Sequence, residues 1–235
     1  MKEKFLGVEV CSQTYAEITS SLFDDIEKKN KAFIVAINPE KIMKAQDDAK
    51  LKELLNRANY QIPDGMGVIV ASILKKGKIR ERVTGIDMML TLCRESVHKG
   101  KKVFLYGAKP GVADEAKEKL EEMYPGIQIV GTIDGYVKDE QYIKSTINEA
   151  NPDIIFVALG SPAQEYWILN HMNELAPMVY QGVGGSFDVI SGKIKRAPQA
   201  FQKLGLEWFY RLMKEPWRWK RQLLLPKFII KAMRE

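Results

Sequence analysis

The stretch 153-DIIFVALGSPAQE-165 sets an apolar, β-rich run against a glycine and then opens a helix-like segment over 162–174. The same pattern recurs along the chain. "FIVAIN" (33–38) precedes a charged helix, "KKVFLYG" (101–107) precedes 110–124, and "IQIVGT" (127–132) precedes 139–150; "MVYQGVGG" (178–185) is a further run of this kind. Short apolar runs that alternate with helical stretches are the signature of a parallel sheet covered by helices on its faces. The predicted fold is therefore α/β: a Rossmann-like, mostly parallel sheet flanked by helices. Ligands of such sheets bind at the carboxyl ends of the strands, where loops run into helix N-termini. That rule selects the loops "INPE" (37–40), "PDGMG" (63–67), "YGAKPG" (106–111), "TIDGY" (132–136), "LGSPAQE" (159–165) and "GVGGSFD" (182–188).

The chain has 235 residues, 46% of them hydrophobic, enough for one sizeable core with something attached. No run approaches the roughly 20 apolar residues of a membrane-spanning helix, and the start, "MKEKFLGVEVCSQ", lacks the apolar centre of a secretory signal. The expectation is a cytoplasmic protein. Cys11 and Cys93 form no CxxC pair and read as thiols of a reducing compartment. With His98 and His171 the only histidines, no Cys/His metal site is expected.

Asp64 is the most telling single residue. Aspartate before a helix is commonly a cap, using the free amides of the first turn. Here Pro63 fixes the approach, Gly65 and Gly67 remove side chains around it, and the apolar run "VIVASIL" anchors the turn. The carboxylate is thereby set to face open space at the ligand edge of the sheet, as a general base requires. The glycine loops are weaker signals. "FLYGAKPG" lacks the GxGxxG spacing and reads first as a turn, whereas "GVGG" at 182–185 can present backbone amides to an anion.

Charge separates the C-terminal segment from the rest. Ala197 to Glu235 holds nine Lys/Arg and three Asp/Glu, a surplus equal to the formal +6 of the whole chain, while residues 1–196 balance at 27 against 27. Trp208, Trp217 and Trp219 lie here, with the apolar run "LLLPKFII". Two regions are expected: a catalytic core over 1–196 and a basic, Trp-rich helical appendage over 197–235. The appendage is read as lying in the headgroup layer of an anionic membrane, through Trp208, Trp217, Trp219, Leu223, Leu224 and Phe228. Nucleic acid is not an expected partner, because no recognised module accompanies the charge. Apolar surface on an undocked tail favours self-association, so a homo-oligomer is expected.

Seven motifs in order, "INPE" (37–40), "PDGMG" (63–67), "ERVTGID" (81–87), "FLYG" (104–107), "GSPAQEYW" (160–167), "GVGGSFDVISGKIKRAP" (182–198) and "GLEWFYRLMKEPWRWKRQ" (205–222), closely resemble the WecG/TagA/CpsF glycosyltransferases. The resemblance implies sugar transfer from a UDP-sugar to a polyprenyl-diphosphate-linked sugar, by an enzyme peripheral on the cytoplasmic membrane face. The teichoic-acid branch is the nearest match. It implies UDP-N-acetylmannosamine as donor, undecaprenyl-diphosphate-linked N-acetylglucosamine as acceptor, and a β-1,4 linkage for the wall teichoic acid linkage unit. A uronic acid or glucose donor for another surface polysaccharide is the alternative within the family. An NAD-dependent oxidoreductase and a non-catalytic membrane-binding module are remoter alternatives.

Inverting transfer needs a base on the acceptor hydroxyl and positive charge where the UDP leaving group develops negative charge. Asp64 is the candidate base. No Asp-x-Asp motif occurs, so no metal or other cofactor is expected and arginines must face the diphosphate: Arg82, with Arg211, Arg218 and Arg221 of the tail. Spacings of seven and three put the tail arginines on one helical face, with Pro216 between them able to kink it. By resemblance Asn38, Thr84, Asp87, Gln164 and Glu165 go to substrate binding, and Gly107, Asp134, Gly184 and Gly185 to the nucleotide. Plain structural roles compete: Asn38 and Asp134 as turn formers, Gln164 as a first-turn helix residue.

Overall fold

The computed structural model describes residues 1–203, 205–214, 216, 219 and 224–235, with the backbone alone for Lys203 and Arg211. Trp217, Arg218, Arg221 and Leu223 thus lie outside the described residues, as does the Arg211 side chain.

The chain opens with a hairpin of β1 (Lys2–Phe5) and β2 (Val8–Cys11), closed by Leu6 and Gly7 at φ 53° and 77°. Positive φ at both turn positions suits the right-handed twist of the paired strands. Helix α1 (Tyr15–Glu27) follows, with a capping box between Thr14 and Glu17. Then come β3 (Ala32–Ile37), α2 (Pro39–Asp47), α3 (Ala49–Arg57), β4 (Tyr60–Pro63), α4 (Met66–Leu74) and α5 (Gly85–Lys99). The second half reads β5 (Lys102–Gly107), α6 (Val112–Met123), β6 (Gln128–Ile133), α7 (Glu140–Ala150), β7 (Ile154–Ala158), α8 (Ala163–His171), β8 (Val179–Gly182) and α9 (Ser186–Ile190). The C-terminal segment contributes α10 (Gln199–Lys203), α11 (Glu207–Lys214) and α12 (Leu224–Arg234).

Six strands form one parallel sheet in the order β4-β3-β8-β7-β5-β6. The five runs singled out in the sequence are five of its strands. The sixth, β4, is short and sits at an edge, where Pro63 is tolerated because no neighbour needs its missing N–H. Side chains alternate between two apolar layers. Phe33, Val35 and Ile37 of β3 join one core with Ile155 and Val157 of β7, while Ala32 and Ile34 join the other with Ile154 and Phe156. Burial on both faces explains why these strands read as continuous apolar runs.

The appendage does not hang free of the core. Phe228, expected at the membrane, is fully buried with its ring 6.2 Å from that of Phe5, and Leu224 packs against the same core. Helix α12 therefore seats on α2, α4 and the N-terminal hairpin. Cys11 and Cys93 are free, buried thiols. Among the described residues no helix is long and apolar enough to cross a membrane.

Candidate active site

Because β4, β3 and β8 are neighbours, the loops after them converge, and a cleft of about 740 Å³ opens over their carboxyl ends. Its floor is the turn between β4 and α4. The Asp64 N–H donates to the Ile37 carbonyl at 2.9 Å, tying the "PDG" turn to the end of β3. Gly65 is required by space: a Cβ there would lie 2.6 Å from Pro39 Cδ and 3.0 Å from Asn38 Cβ. Gly65, not Asp64, occupies the N-cap position of α4, and no side chain caps that helix. The Asp64 carboxylate is consequently not spent on capping α4.

Arg82 holds this turn from the other side. Its Nε donates to the Asp64 carbonyl at 2.6 Å, and Nη2 stands 4.0 Å from Asp64 Oδ1. The Asp64 side chain retains 29% exposure, and the protein packed around the rest of it excludes part of its solvation. Desolvation raises its pKa above the ordinary aspartate value; Arg82 and Lys41 pull it down and Glu207 pushes it up. The group is a carboxylate of enhanced basicity at the bottom of a substrate-sized cleft, able to accept a proton from a hydroxyl.

A chain of charged groups binds the C-terminal segment to this floor. Glu207 of α11 takes Arg82 Nη1 at 2.9 Å on Oε2 and Arg196 Nε at 3.1 Å on Oε1. Arg196 also grips Asp87 with both terminal nitrogens at 2.7 Å. Thr84 caps α5 and donates to Asp87 Oδ2 at 2.6 Å, and its own N–H donates to the Tyr15 hydroxyl at 2.6 Å. Burial opposes ionisation of Asp87, but the hydrogen bonds from Arg196 and Thr84 win and hold its carboxyl below the usual range. These residues line a second hollow of about 410 Å³ beside the cleft.

On the opposite wall Asn38 caps α2, its Oδ1 accepting from the Lys41 N–H at 2.9 Å. The Lys41 ammonium reaches Glu165 Oε1 at 2.8 Å, and Gln164 Nε2 donates to that same oxygen at 3.1 Å. Gln164 Oε1 in turn accepts from the Gly184 N–H at 2.9 Å, drawing α8 against the loop after β8. Gly182 permits this approach, since a Cβ there would meet Gln164 Nε2 at 2.5 Å.

Asn38, Asp64, Arg82, Thr84, Gln164, Gly184 and Gly185 all line the cleft. Asp87 lines the adjoining hollow, and Glu165 is completely buried behind Gln164. Gly107 and Asp134 are not in the lining; Asp134 accepts from the Tyr136 N–H at 2.8 Å, a turn contact beyond β6. Sequence reasoning missed Lys41, Arg196 and Glu207. Arg196 sits inside a quoted motif, "GKIKRAP", and Glu207 inside another, but neither showed its partner.

The glycosyl transferase WecG/TagA/CpsF family model matches residues 3–235. The chain belongs to this family. A WecG/TagA/CpsF relative from Bacillus subtilis (strain 168), an N-acetylglucosaminyldiphosphoundecaprenol N-acetyl-beta-D-mannosaminyltransferase, is 42% identical over 210 residues, covering 89% of this chain and 82% of its own. A protein of the same name from Bacillus spizizenii (strain ATCC 23059 / NRRL B-14472 / W23) is 39% identical over 209 residues, covering 89% and 81%. Membership in the WecG/TagA/CpsF glycosyl transferases sets aside the oxidoreductase and the non-catalytic module.

Proposed function

We propose that the protein transfers N-acetylmannosamine from UDP-N-acetylmannosamine to the 4-hydroxyl of undecaprenyl-diphosphate-linked N-acetylglucosamine, with inversion, forming the β-1,4-linked disaccharide lipid. The activity for which the two relatives are named supports the substrates. The observation that carries the mechanism is the Asp64 carboxylate in the cleft, not used to cap α4 and 4.0 Å from Arg82 Nη2.

In this reading Asp64 takes the proton of the acceptor hydroxyl as its oxygen attacks the anomeric carbon. The bond from that carbon to the diphosphate breaks on the opposite face, and UDP leaves with the electron pair. Arg82, with Arg211, Arg218 and Arg221 from the C-terminal segment, faces the charge that develops on the diphosphate. Glu207 supports such a division of labour, because it ties α11 to Arg82.

The membrane surface supplies the acceptor. Supporting contact there are the exposed Trp208, Phe209, Met213 and Trp219 of the C-terminal segment, and Val70, Ile73 and Leu74 of α4. Helix α4 lies against α12, whose Ile230 and Met233 are also exposed. Lys75, Lys76, Lys227 and Lys231 on the same two elements and their flanks suit anionic headgroups. The protein is then peripheral on the cytoplasmic face, and without lipid the same apolar surface favours a homo-oligomer.

A panel of UDP-sugars offered with a short-chain diphosphate-linked N-acetylglucosamine acceptor tests the substrate. Preferred turnover of UDP-N-acetylmannosamine is expected. Preference for a uronic acid or glucose donor would overturn the donor and keep the reaction class.

A further inference from the structure

Arg82, the guanidinium turned toward the diphosphate in the proposed reaction, already faces a protein oxygen with each of its three nitrogens. Nε donates to the Asp64 carbonyl at 2.6 Å, Nη1 lies 2.9 Å from Glu207 Oε2, and Nη2 stands 4.0 Å from Asp64 Oδ1. Charge sharpens the conflict. Asp64, Asp87 and Glu207 set three carboxylates against the guanidiniums of Arg82 and Arg196, and all five line the cleft or the hollow beside it. With all five ionised, this cluster of described residues carries a net negative charge where another anion is to be received, so one carboxylate has to give way.

Glu207 is the one placed to do so. Asp64 is the base, and Asp87 is held by the Arg196 fork at 2.7 Å and by Thr84. Glu207 instead straddles two arginines, with Oε2 on Arg82 and Oε1 3.1 Å from Arg196 Nε. If it lets go of Arg82 it keeps Arg196, so α11 stays tied while Arg82 Nη1 is freed. A carboxylate and a phosphate engage a guanidinium in the same way, through anionic oxygens that accept its N–H groups. We propose that Glu207 occupies the place of the UDP diphosphate on Arg82, and that it sets the affinity for the nucleoside diphosphate by competing for that guanidinium. The inference rests on Arg82 facing the diphosphate. After transfer, the return of Glu207 to Arg82 favours release of UDP.

Titration calorimetry of the full chain with UDP and with uridine tests this, in wild type, Glu207→Gln, Arg82→Met and the double variant. Glu207→Gln keeps the size of the side chain and removes the competing charge. UDP should then bind about 3- to 10-fold tighter, while uridine, which lacks the diphosphate, binds as before. Arg82→Met should weaken UDP binding, and adding Glu207→Gln to it should change affinity by no more than about twofold, because the contested group is gone. Unchanged or weaker UDP binding by Glu207→Gln, an equal gain for uridine, or a gain that survives in the Arg82→Met background overturns the proposal, since a general effect of removing one negative charge needs no Arg82. An Arg82→Met protein that binds UDP as well as wild type overturns instead the placing of Arg82 at the diphosphate. Should the methionine variant not fold, Arg82→Lys, which keeps the charge and loses the fork, replaces it in the same cycle and should likewise weaken UDP binding and shrink the gain from Glu207→Gln.

Discussion

Glu207 Oε2 lies 2.9 Å from Arg82 Nη1, and Arg82 Nε donates at 2.6 Å to the Asp64 carbonyl, so two hydrogen-bonded steps join the C-terminal segment to the turn under the cleft. The segment is thus held at the site by a carboxylate, although its charge surplus is positive. Both partners are largely buried, with side chains 22% and 19% exposed. Glu207→Gln should therefore cost about 1–2 kcal/mol of stability and speed amide exchange in α11, seen by thermal unfolding and hydrogen exchange. Unchanged exchange in α11 would mean that other contacts dock it.

Arg196 should not tolerate lysine. The fork to both oxygens of Asp87 needs a planar guanidinium, and one ammonium cannot replace it. Asp87 is held below the usual carboxylate range, so its contribution to stability is complete above about pH 4 and is lost as pH falls through its lower folded-state pKa. Arg196→Met should flatten the acid loss of stability in that window. A melting curve against pH from about 5 to 2 reads this directly.

The tail arginines are best tested one at a time. Removing 199–235 would also remove Phe228 from the core, and Phe228→Ala alone should cost about 3–5 kcal/mol. Alanine at Arg211, Arg218 or Arg221 should instead leave the melting temperature close to wild type. Each should lower kcat on a soluble acceptor by about 10- to 10²-fold if that side chain faces the diphosphate. A loss seen only with lipid-borne acceptor would assign these arginines to the membrane.

Legibility followed the range of the interaction. The parallel sheet was readable because apolar runs buried on both faces need only local composition. The hairpin of β1 and β2 was not, since its turn is Leu6-Gly7 rather than an Asn-Gly signal, and β4 was too short to stand out. The place of Asp64 in the cleft was readable from Pro63 and its two glycines. Lys41 took its meaning from Glu165, 124 residues away, and Arg196 from Asp87, 109 residues away, and no pattern within one loop announces such pairs. Phe228 misled for a related reason: a tail that is basic and aromatic overall can still turn one ring into the core. Asn38 kept a capping role as well as a place in the cleft, and the two are not exclusive.

Membrane contact should fail when negative charge is introduced on these apolar positions, without loss of fold. Ile73→Glu on α4 and Trp208→Glu on α11 alter exposed positions, so each should weaken co-sedimentation with anionic vesicles while the melting temperature shifts by no more than a degree or two. Full retention of binding in the Ile73 variant would confine the contact to the C-terminal segment.

The central claim is that Asp64 takes the acceptor's proton, and single-turnover transfer by Asp64→Asn tests it most directly. The amide keeps the size of the side chain, and α4 loses no cap because Asp64 provides none. The account predicts a folded enzyme that still binds UDP, with the transfer step slowed by about 10²- to 10⁴-fold. Transfer within a few-fold of wild type, at unchanged UDP affinity and melting temperature, would contradict it.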